Sequence, residues 1–303
     1  MLRAAEELDY HPNLIASNFV HGKSGNIAVV IPYIPNVHIF SVFYFSEILS
    51  GIGEVLKKNG LGLLLSLHTP GDSYIDYFRD GRTDGCILLG TRRDDLELIN
   101  LKEKGCMFCL INNYIPSSGI SFIDADNISG SYNAVKFLVE LGHREIGFLN
   151  GPDYFTNSID REKGFQKAMD EFGLKIVQSW MLKGNYGKKS GYEAGIELFK
   201  EPKLPSAILA SNDRMAAGFI QSAKERGLKI PCDISIIGYD DSDICTIVEP
   251  QMTSVRIPFY EMGKRCAEKY INMIQNSNES FEVFIETELS IRKSVYNKVD
   301  NLY

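Results

Sequence analysis

The segment PSAILASNDRMAAGFIQSAKERGLKIPCDISIIGYDD, Pro205 to Asp241, constrains the fold of this chain more than any other. A short apolar run (Ala207 to Ala210) passes through Ser211-Asn212-Asp213 into a helical stretch with Ala216, Ala217, Ile220 and Ala223 on one face, closed by Gly227. A second apolar run, Ile234 to Ile237, ends in Gly238-Tyr239-Asp240-Asp241. Apolar strands on either side of an amphipathic helix make a βαβ unit, since parallel strands are buried on both faces and need a crossover. Ligands of open parallel sheets bind at the carboxyl ends of the strands, so Asn212 and Asp240 are expected side by side on a binding edge. Helix capping by Asn212 or Asp213, and a turn at Asp240-Asp241, account for either feature alone. Their occurrence together in one unit favours a site.

The same alternation runs through most of the sequence. From Asn26 it gives a strand (Ile27 to Ile31), a helix with Ile48, Leu49, Ile52, Val55 and Leu56 on one face before Gly60, and strand-like runs at Leu61 to Leu67, Cys86 to Leu89, Met107 to Ile111 and Ile120 to Ile123. The pattern then restarts with a helix from an N-cap at Ser129 to Gly142, a strand at Ile146 to Leu149, and a helix capped by Ser158 and closed by Gly173. A strand at Ile176 to Met181, a helix at Gly191 to Phe199 and the βαβ unit follow. Pro250 to Ile257 reads as a crossing segment, Pro258 to Ile274 as an amphipathic helix and Phe281 to Ile291 as extended chain, completing the earlier lobes. The fold class is α/β with two doubly wound parallel-sheet lobes, for which 303 residues suffice.

At the start, Leu2, Ala5 and Leu8 share a helix face that Pro12 stops, and Asn13 to Val20 is a second short amphipathic piece. His21 to Gly25 reads as a linker. The Gly22-Lys23-Ser24 triplet lacks the glycine of a phosphate loop, because position 17 is Ser17. A net charge of −7 argues against generic nucleic-acid binding, so any DNA contact must be local. No apolar run approaches the ~20 residues of a membrane span and no export signal is visible at the N-terminus, so a cytoplasmic protein is expected, with no membrane association. The six cysteines suit reduced thiols; Cys106 and Cys109, in the strand-like CMFCLI, point to opposite faces rather than forming a redox or metal pair.

Catalytic signatures do not appear: there is no nucleophile elbow, zincin motif, phosphate loop or dinucleotide fingerprint, and the five histidines are dispersed. His143, after the helix-ending Gly142, is placed to meet a helix dipole as a cation. Neither enzymatic activity, a metal nor a cofactor is expected. Binding groups do converge. Arg161, early in the helix that follows the strand Ile146 to Leu149, reaches the same edge as Asn212 and Asp240. A guanidinium fork, an amide and a carboxylate can together read a cluster of hydroxyls, as a sugar presents. Tyr44, Phe45 and Tyr186 supply aromatic surface at strand ends, although Phe45 also suits core packing and Arg161 also suits an ion pair with Asp160 or Glu162.

Seven motifs in order resemble the lactose-repressor (LacI/GalR) family of bacterial transcriptional regulators over nearly the whole chain. They are RAAEELDYHPNLIASNF at 3 to 19, GHREIGFLNGP at 142 to 152, SIDREKGF at 158 to 165, SAILASNDRMAAG at 206 to 218, PCDISIIGYDD at 231 to 241, PQMTSV at 250 to 255 and ELSIRKS at 288 to 294. The resemblance implies a type I periplasmic-binding-protein-like core of two lobes around an effector cleft, held as a homodimer, after a helical DNA-binding headpiece. It implies effector contacts at Arg161, Asn212 and Asp240, a first-lobe contact at Tyr44 beside Phe45, and a stacking ring at Tyr186. A further acidic contact of some members falls at about Ser129. Residues 1–25 resemble the last headpiece helix and the hinge helix, with Asn13, Ala16 and Phe19 as DNA contacts and Phe19 as the minor-groove wedge. The helix-turn-helix itself is expected upstream of Met1. The lobes are expected at 26–124 plus about 256–287, and at 125–255 plus about 288–303. The function implied is regulation of operator binding by a small carbohydrate; a solute-binding protein of a transport system, or a regulator controlled mainly by a protein corepressor, are the alternatives.

Overall fold

The computed structural model describes residues 24–33, 42–69, 71–276 and 280–299. Eight elements come first: β1 (Asn26–Pro32), α1 (Phe43–Lys58), β2 (Gly62–His68), α2 (Asp76–Arg79), β3 (Cys86–Leu89), α3 (Leu96–Glu103), β4 (Phe108–Ile111) and β5 (Phe122–Ala125). Then come α4 (Asn127–Glu140), β6 (Ile146–Asn150), α5 (Thr156–Glu171), β7 (Met181–Lys183), α6 (Lys188–Leu198), β8 (Ala207–Ala210), α7 (Asp213–Glu225), β9 (Ser235–Asp240), α8 (Ile244–Ile247) and β10 (Thr253–Arg256). The chain ends in α9 (Phe259–Gln275), β11 (Glu282–Ile285) and β12 (Glu288–Ser290).

These strands form two six-stranded sheets, ordered β11-β5-β4-β3-β1-β2 and β12-β10-β9-β8-β6-β7. Neighbours in the first are parallel throughout, and in the second only β12 is antiparallel. Each sheet is the centre of one α/β lobe. The chain passes between them after β5, after β10 and between β11 and β12, so the lobes are joined side by side. The central strands β3, β4, β6 and β8 are buried along their whole length, which explains their unbroken apolar runs. Each fully buried Ile, Leu or Phe side chain contributes roughly 1.5–3 kcal/mol.

Several elements differ from their sequence-based expectation. Helix α4 is capped by Asp126, whose carboxylate accepts from the Ser129 amide at 2.9 Å, not by Ser129. Ser158 lies inside α5, which begins at Thr156, and its side chain is fully buried. The strand expected at 176–181 is a 3-10 turn (Gln178–Trp180) followed by the short β7, because Trp180 turns inward and donates from Nε1 to the Lys203 carbonyl at 3.1 Å. The strand expected to end at Ile123 continues to Ala125, which takes Asp124 into the sheet. His143 is not a cation at a helix terminus: it is 1% exposed, its Nε2 lies 3.0 Å from the Tyr296 carbonyl, and burial lowers its pKa to about 4. The six cysteines are free, with the Cys109 and Cys266 sulfurs 3.6 Å apart in the first core. Among the described residues no helix is long and apolar enough to cross a membrane.

Helix α1 packs closely on α9. A Cβ at Gly51 would stand 2.1 Å from the Tyr260 carbonyl oxygen, and one at Gly263 would stand 2.3 Å from that of Ile48. Gly53, also in α1, has nothing within 4 Å of the same position. Gly51→Ala and Gly263→Ala should each cost about 1–3 kcal/mol in denaturant unfolding through overpacking. Gly53→Ala should be neutral or stabilising by up to about 1 kcal/mol through unfolded-state entropy. Equal effects at Gly51 and Gly53 would mean that close helix approach does not set the difference.

Candidate functional site

A buried guanidinium organises the region between the lobes. Arg161, in the second turn of α5, is 2% exposed, and its fork must therefore find partners within the protein. Nε donates to Asn127 Oδ1 at 2.8 Å, Nη1 donates to the Ser211 carbonyl, and Nη2 stands 3.8 Å from Asp240 Oδ1. The guanidinium carbon lies 3.9 Å from the centroid of the Tyr239 ring, a cation–π contact that covers its face. One side chain thus gathers the start of α4 and the carboxyl ends of β8 and β9.

Asp240 ends β9 with φ of 107° and is followed by Asp241 at 56°, left-handed conformations that Asp tolerates better than most residues. The turn leaves its carboxylate 17% exposed. Burial raises the Asp240 pKa well above the ordinary carboxylate value, with Arg161 opposing the shift. At 3.8 Å the contact to Arg161 is an ion pair without a tight hydrogen bond, which leaves both groups capacity for another partner.

Asn212 combines the two roles open to it in the sequence. Its Oδ1 caps α7 by accepting from the Met215 amide at 2.9 Å, and its Nδ2 donates to the Tyr186 carbonyl at 3.0 Å. Tyr186, at φ 65°, bonds through its hydroxyl to Ser158 Oγ at 2.5 Å and Asn157 Oδ1 at 2.8 Å. Its ring packs so closely over Gly151 that a Cβ there would come within 2.3 Å. Tyr44, on α1 of the other lobe, is half-buried, and its hydroxyl pKa is raised by burial first and then by electrostatic interaction with Asp240 and with the Tyr186 hydroxyl. Phe45, expected beside Tyr44, instead packs in the core at 1% exposure. Asn13, Ala16 and Phe19, expected to meet DNA, lie outside the described residues.

The structure adds residues that the sequence reading missed. Asn127 and Tyr239 orient Arg161, and only their positions beside Asp126 and Asp240 at strand ends hinted at a role. Across the lobes, the Tyr114 hydroxyl donates to Asp160 Oδ2 at 2.5 Å, and Thr156 Oγ1 donates to the Tyr114 carbonyl at 2.8 Å. The Arg93 amide donates to the Tyr154 carbonyl at 3.1 Å, and the Arg92 guanidinium lies 4.0 Å over the Tyr154 ring. These contacts join the loops after β3 and β4 to the start of α5 and hold the gap closed. A cavity of about 400 Å³ opens elsewhere, against β2 and α2 among Ser66, Asp72, Tyr77 and Arg82, and includes none of these groups.

A family described as a periplasmic binding protein-like domain matches residues 135–295. Among curated relatives, the NTD biosynthesis operon regulator NtdR of Bacillus subtilis (strain 168) is 32% identical over 305 residues, covering 97% of this chain and 89% of that protein. Among solved structures, the complex of the transcriptional regulator CelR with cellobiose superposes with a TM-score of 0.82 at 28% identity, covering 96% of this chain and 88% of that one. The lac repressor dimer bound to operator and the anti-inducer ONPF gives a TM-score of 0.84 at 22% identity, covering 95% and 99%, a likeness of fold.

Tyr114→Phe removes the hydroxyl bond to Asp160 while keeping the ring that stacks on Phe122 at 4.9 Å. Loss of a hydrogen bond to a charged group should disfavour the closed arrangement by about 1.5–3 kcal/mol. Spin labels placed one on each lobe should report longer distances in the variant without ligand. An unchanged distance distribution would show that this bond does not hold the lobes together.

Proposed function

The chain belongs to the LacI/GalR family of transcriptional regulators, and on that premise we propose that a small polyhydroxylated effector, a sugar or sugar derivative, binds between its lobes and sets its hold on operator DNA. The observation that carries this reading is the loose 3.8 Å pairing of Asp240 with Arg161, whose other contacts are tight. A fork and a carboxylate at that separation can each take a hydroxyl, one donating to it and the other accepting from it. Tyr44 and Tyr186 supply apolar faces for a ring, and Asn212 positions Tyr186. The similarity to a regulator in complex with cellobiose supports a carbohydrate.

In this reading the first lobe comprises 26–124 with about 256–287 and the second comprises 125–255 with about 288–303. Residues 1–25 belong to the DNA-binding headpiece and its hinge. Binding between the lobes changes their relative rotation, by favouring or replacing the contacts of Tyr114 with Asp160 and Thr156. In a homodimer that rotation alters the separation of the two DNA-contacting segments. A coupling free energy of only about 1–3 kcal/mol is enough to regulate.

A thermal-shift screen over common mono- and disaccharides, sugar phosphates, nucleosides and purines tests this reading. One carbohydrate should raise the melting temperature of the wild type, and Asp240→Asn, which keeps shape and backbone tolerance, should weaken its binding by about tenfold or more. Full retention of affinity in Asp240→Asn would place the site elsewhere. Stabilisation by a protein partner and by no small molecule would favour control by a corepressor.

A further inference from the structure

Between the lobes, next to the groups assigned above, lies a carboxylate that the protein leaves half satisfied. Asp124, the third residue of β5, is 0% exposed. Its Oδ1 accepts from the Ala125 amide at 2.7 Å and, distantly, from Asn127 Nδ2 at 3.5 Å, while its Oδ2 has no hydrogen-bond partner. Strand alternation places it on the face of Phe122, on which Tyr114 stacks, and it interacts electrostatically with both Tyr114 and Asp160. Two more buried acceptors without a partner lie just past the end of the neighbouring strand β4. The Asn112 amide donates to the Ile123 carbonyl at 2.9 Å, continuing the β4–β5 ladder, so Asn112 is the neighbour of Asp124 across the strands. Asn112 Oδ1 and Asn113 Oδ1 are both buried without a partner. The Asn113 orientation is fixed, because its Nδ2 donates to the Thr91 carbonyl at 2.9 Å and to Thr91 Oγ1 at 2.8 Å.

The three orphans are all acceptors, and a hydroxyl, which gives one hydrogen and takes another, answers such a set poorly. An ammonium group, three donors and no acceptor, answers it well. The charge balance agrees: Asp124 and Asp240 both face the guanidinium of Arg161, the one buried guanidinium among the described residues, while Asp160 is paired with Lys163, which is 57% exposed. We propose that the effector of this chain carries a protonated primary amine beside its hydroxyls, an amino sugar, and that the amine seats between Asp124 Oδ2 and the side-chain oxygens of Asn112 and Asn113. This rests on the reading that the effector binds between the lobes, and it adds the ligand's charge and the residues that select it. Because Tyr114, which bridges the lobes to Asp160 and Thr156, lies near Asp124, the amine enters when the lobes part and is enclosed when they meet.

A carboxylate kept for a ligand should burden the free protein. Burial raises the Asp124 pKa from 3.8 to about 7, with the Ala125 amide and Arg161 opposing and Asp160 adding to the rise. Tyr114, Tyr186 and Tyr239 also face it, from the loop after β4, the loop before α6 and from β9. A folded-state value above the unfolded one means that the ionised carboxylate costs stability above about pH 7, and that the cost fades as pH falls towards the unfolded value. Without ligand, Asp124→Asn should therefore melt higher than the wild type above that pH, and the difference should vanish in mild acid. A carboxylate serving the fold alone would give the opposite sign.

The test is calorimetric titration with amino-deoxy hexoses carrying the amine at different ring carbons, each beside its parent hexose and its N-acetyl derivative. One amino sugar should bind wild type at least about tenfold more tightly than both neutral counterparts, the worth of a charge-assisted contact. Asp124→Asn should lose that preference while still binding the parent hexose. Equal affinity for amine and parent in the wild type, or a preference that survives in Asp124→Asn, overturns the proposal. If neutral sugars bind and Asp240→Asn abolishes their binding, only the amine falls; if no member of the panel binds wild type, the inter-lobe effector reading falls with it.

Discussion

The buried guanidinium of Arg161 is the constraint on which the inter-lobe region depends. A fixed positive charge removed from water must be met on every side, and the protein meets it with the Asn127 amide, the Ser211 carbonyl, the Tyr239 ring and the Asp240 carboxylate. Those four groups come from the start of α4 and the ends of β8 and β9. Their convergence requires the second sheet to keep its strand order, because a one-residue slip of β9 would turn Tyr239 away and bring Gly238 beneath the charge. Site and fold are in this sense one specification: the register that buries Ile236 and Ile237 also presents Tyr239 and Asp240.

Much of this was legible in the sequence, because two of its signals are local. Parallel strands buried on both faces produce apolar runs such as Ala207 to Ala210, and helices that cover them produce the spacing of Ala216, Ile220 and Ala223, so the alternation survives without tertiary information. Glycines closing α1, α4, α5 and α7 were equally readable, since Gly60, Gly142, Gly173 and Gly227 all take positive φ. What failed was decided by distant partners. Ser158 has the composition of a cap, but its hydroxyl serves Tyr186, 28 residues away. The Trp180 segment reads as a strand until its indole finds the Lys203 carbonyl. His143 looks like a cation at a helix terminus until Tyr296, 153 residues later, encloses it.

The candidate site was legible in a similar, partial way. Arg161, Asn212, Asp240 and Tyr186 follow from the rule that strand carboxyl ends collect ligands, and the structure brings these residues together with Tyr44 facing them. Phe45 shows the limit of that rule: adjacent residues on a helix point in different directions, and only one of two neighbouring aromatics can reach the gap. Tyr114 and Asp160 were invisible because a contact between lobes has no local signature, and Asp124 because an expected strand end was two residues short.

Two buried carboxylates in the same chain show how structural and functional burial can be told apart. Asp213, 1% exposed, accepts from the Ser242 amide at 2.7 Å and hydroxyl at 2.8 Å through one oxygen and from Ser254 Oγ at 2.6 Å through the other. It ties the start of α7 to the loop after β9 and to β10, and both its oxygens are used. Asp124 is buried as deeply but has only one oxygen used. Removing a carboxyl from water without giving it donors costs stability that a Val or Thr at the same strand position would avoid. A fold under no other demand has no reason to keep that arrangement at the junction of two lobes, where a substitution would disturb little else. The unmet half of Asp124 therefore belongs with the loosely paired Arg161 and Asp240, as part of a surface completed by something that the chain does not itself provide.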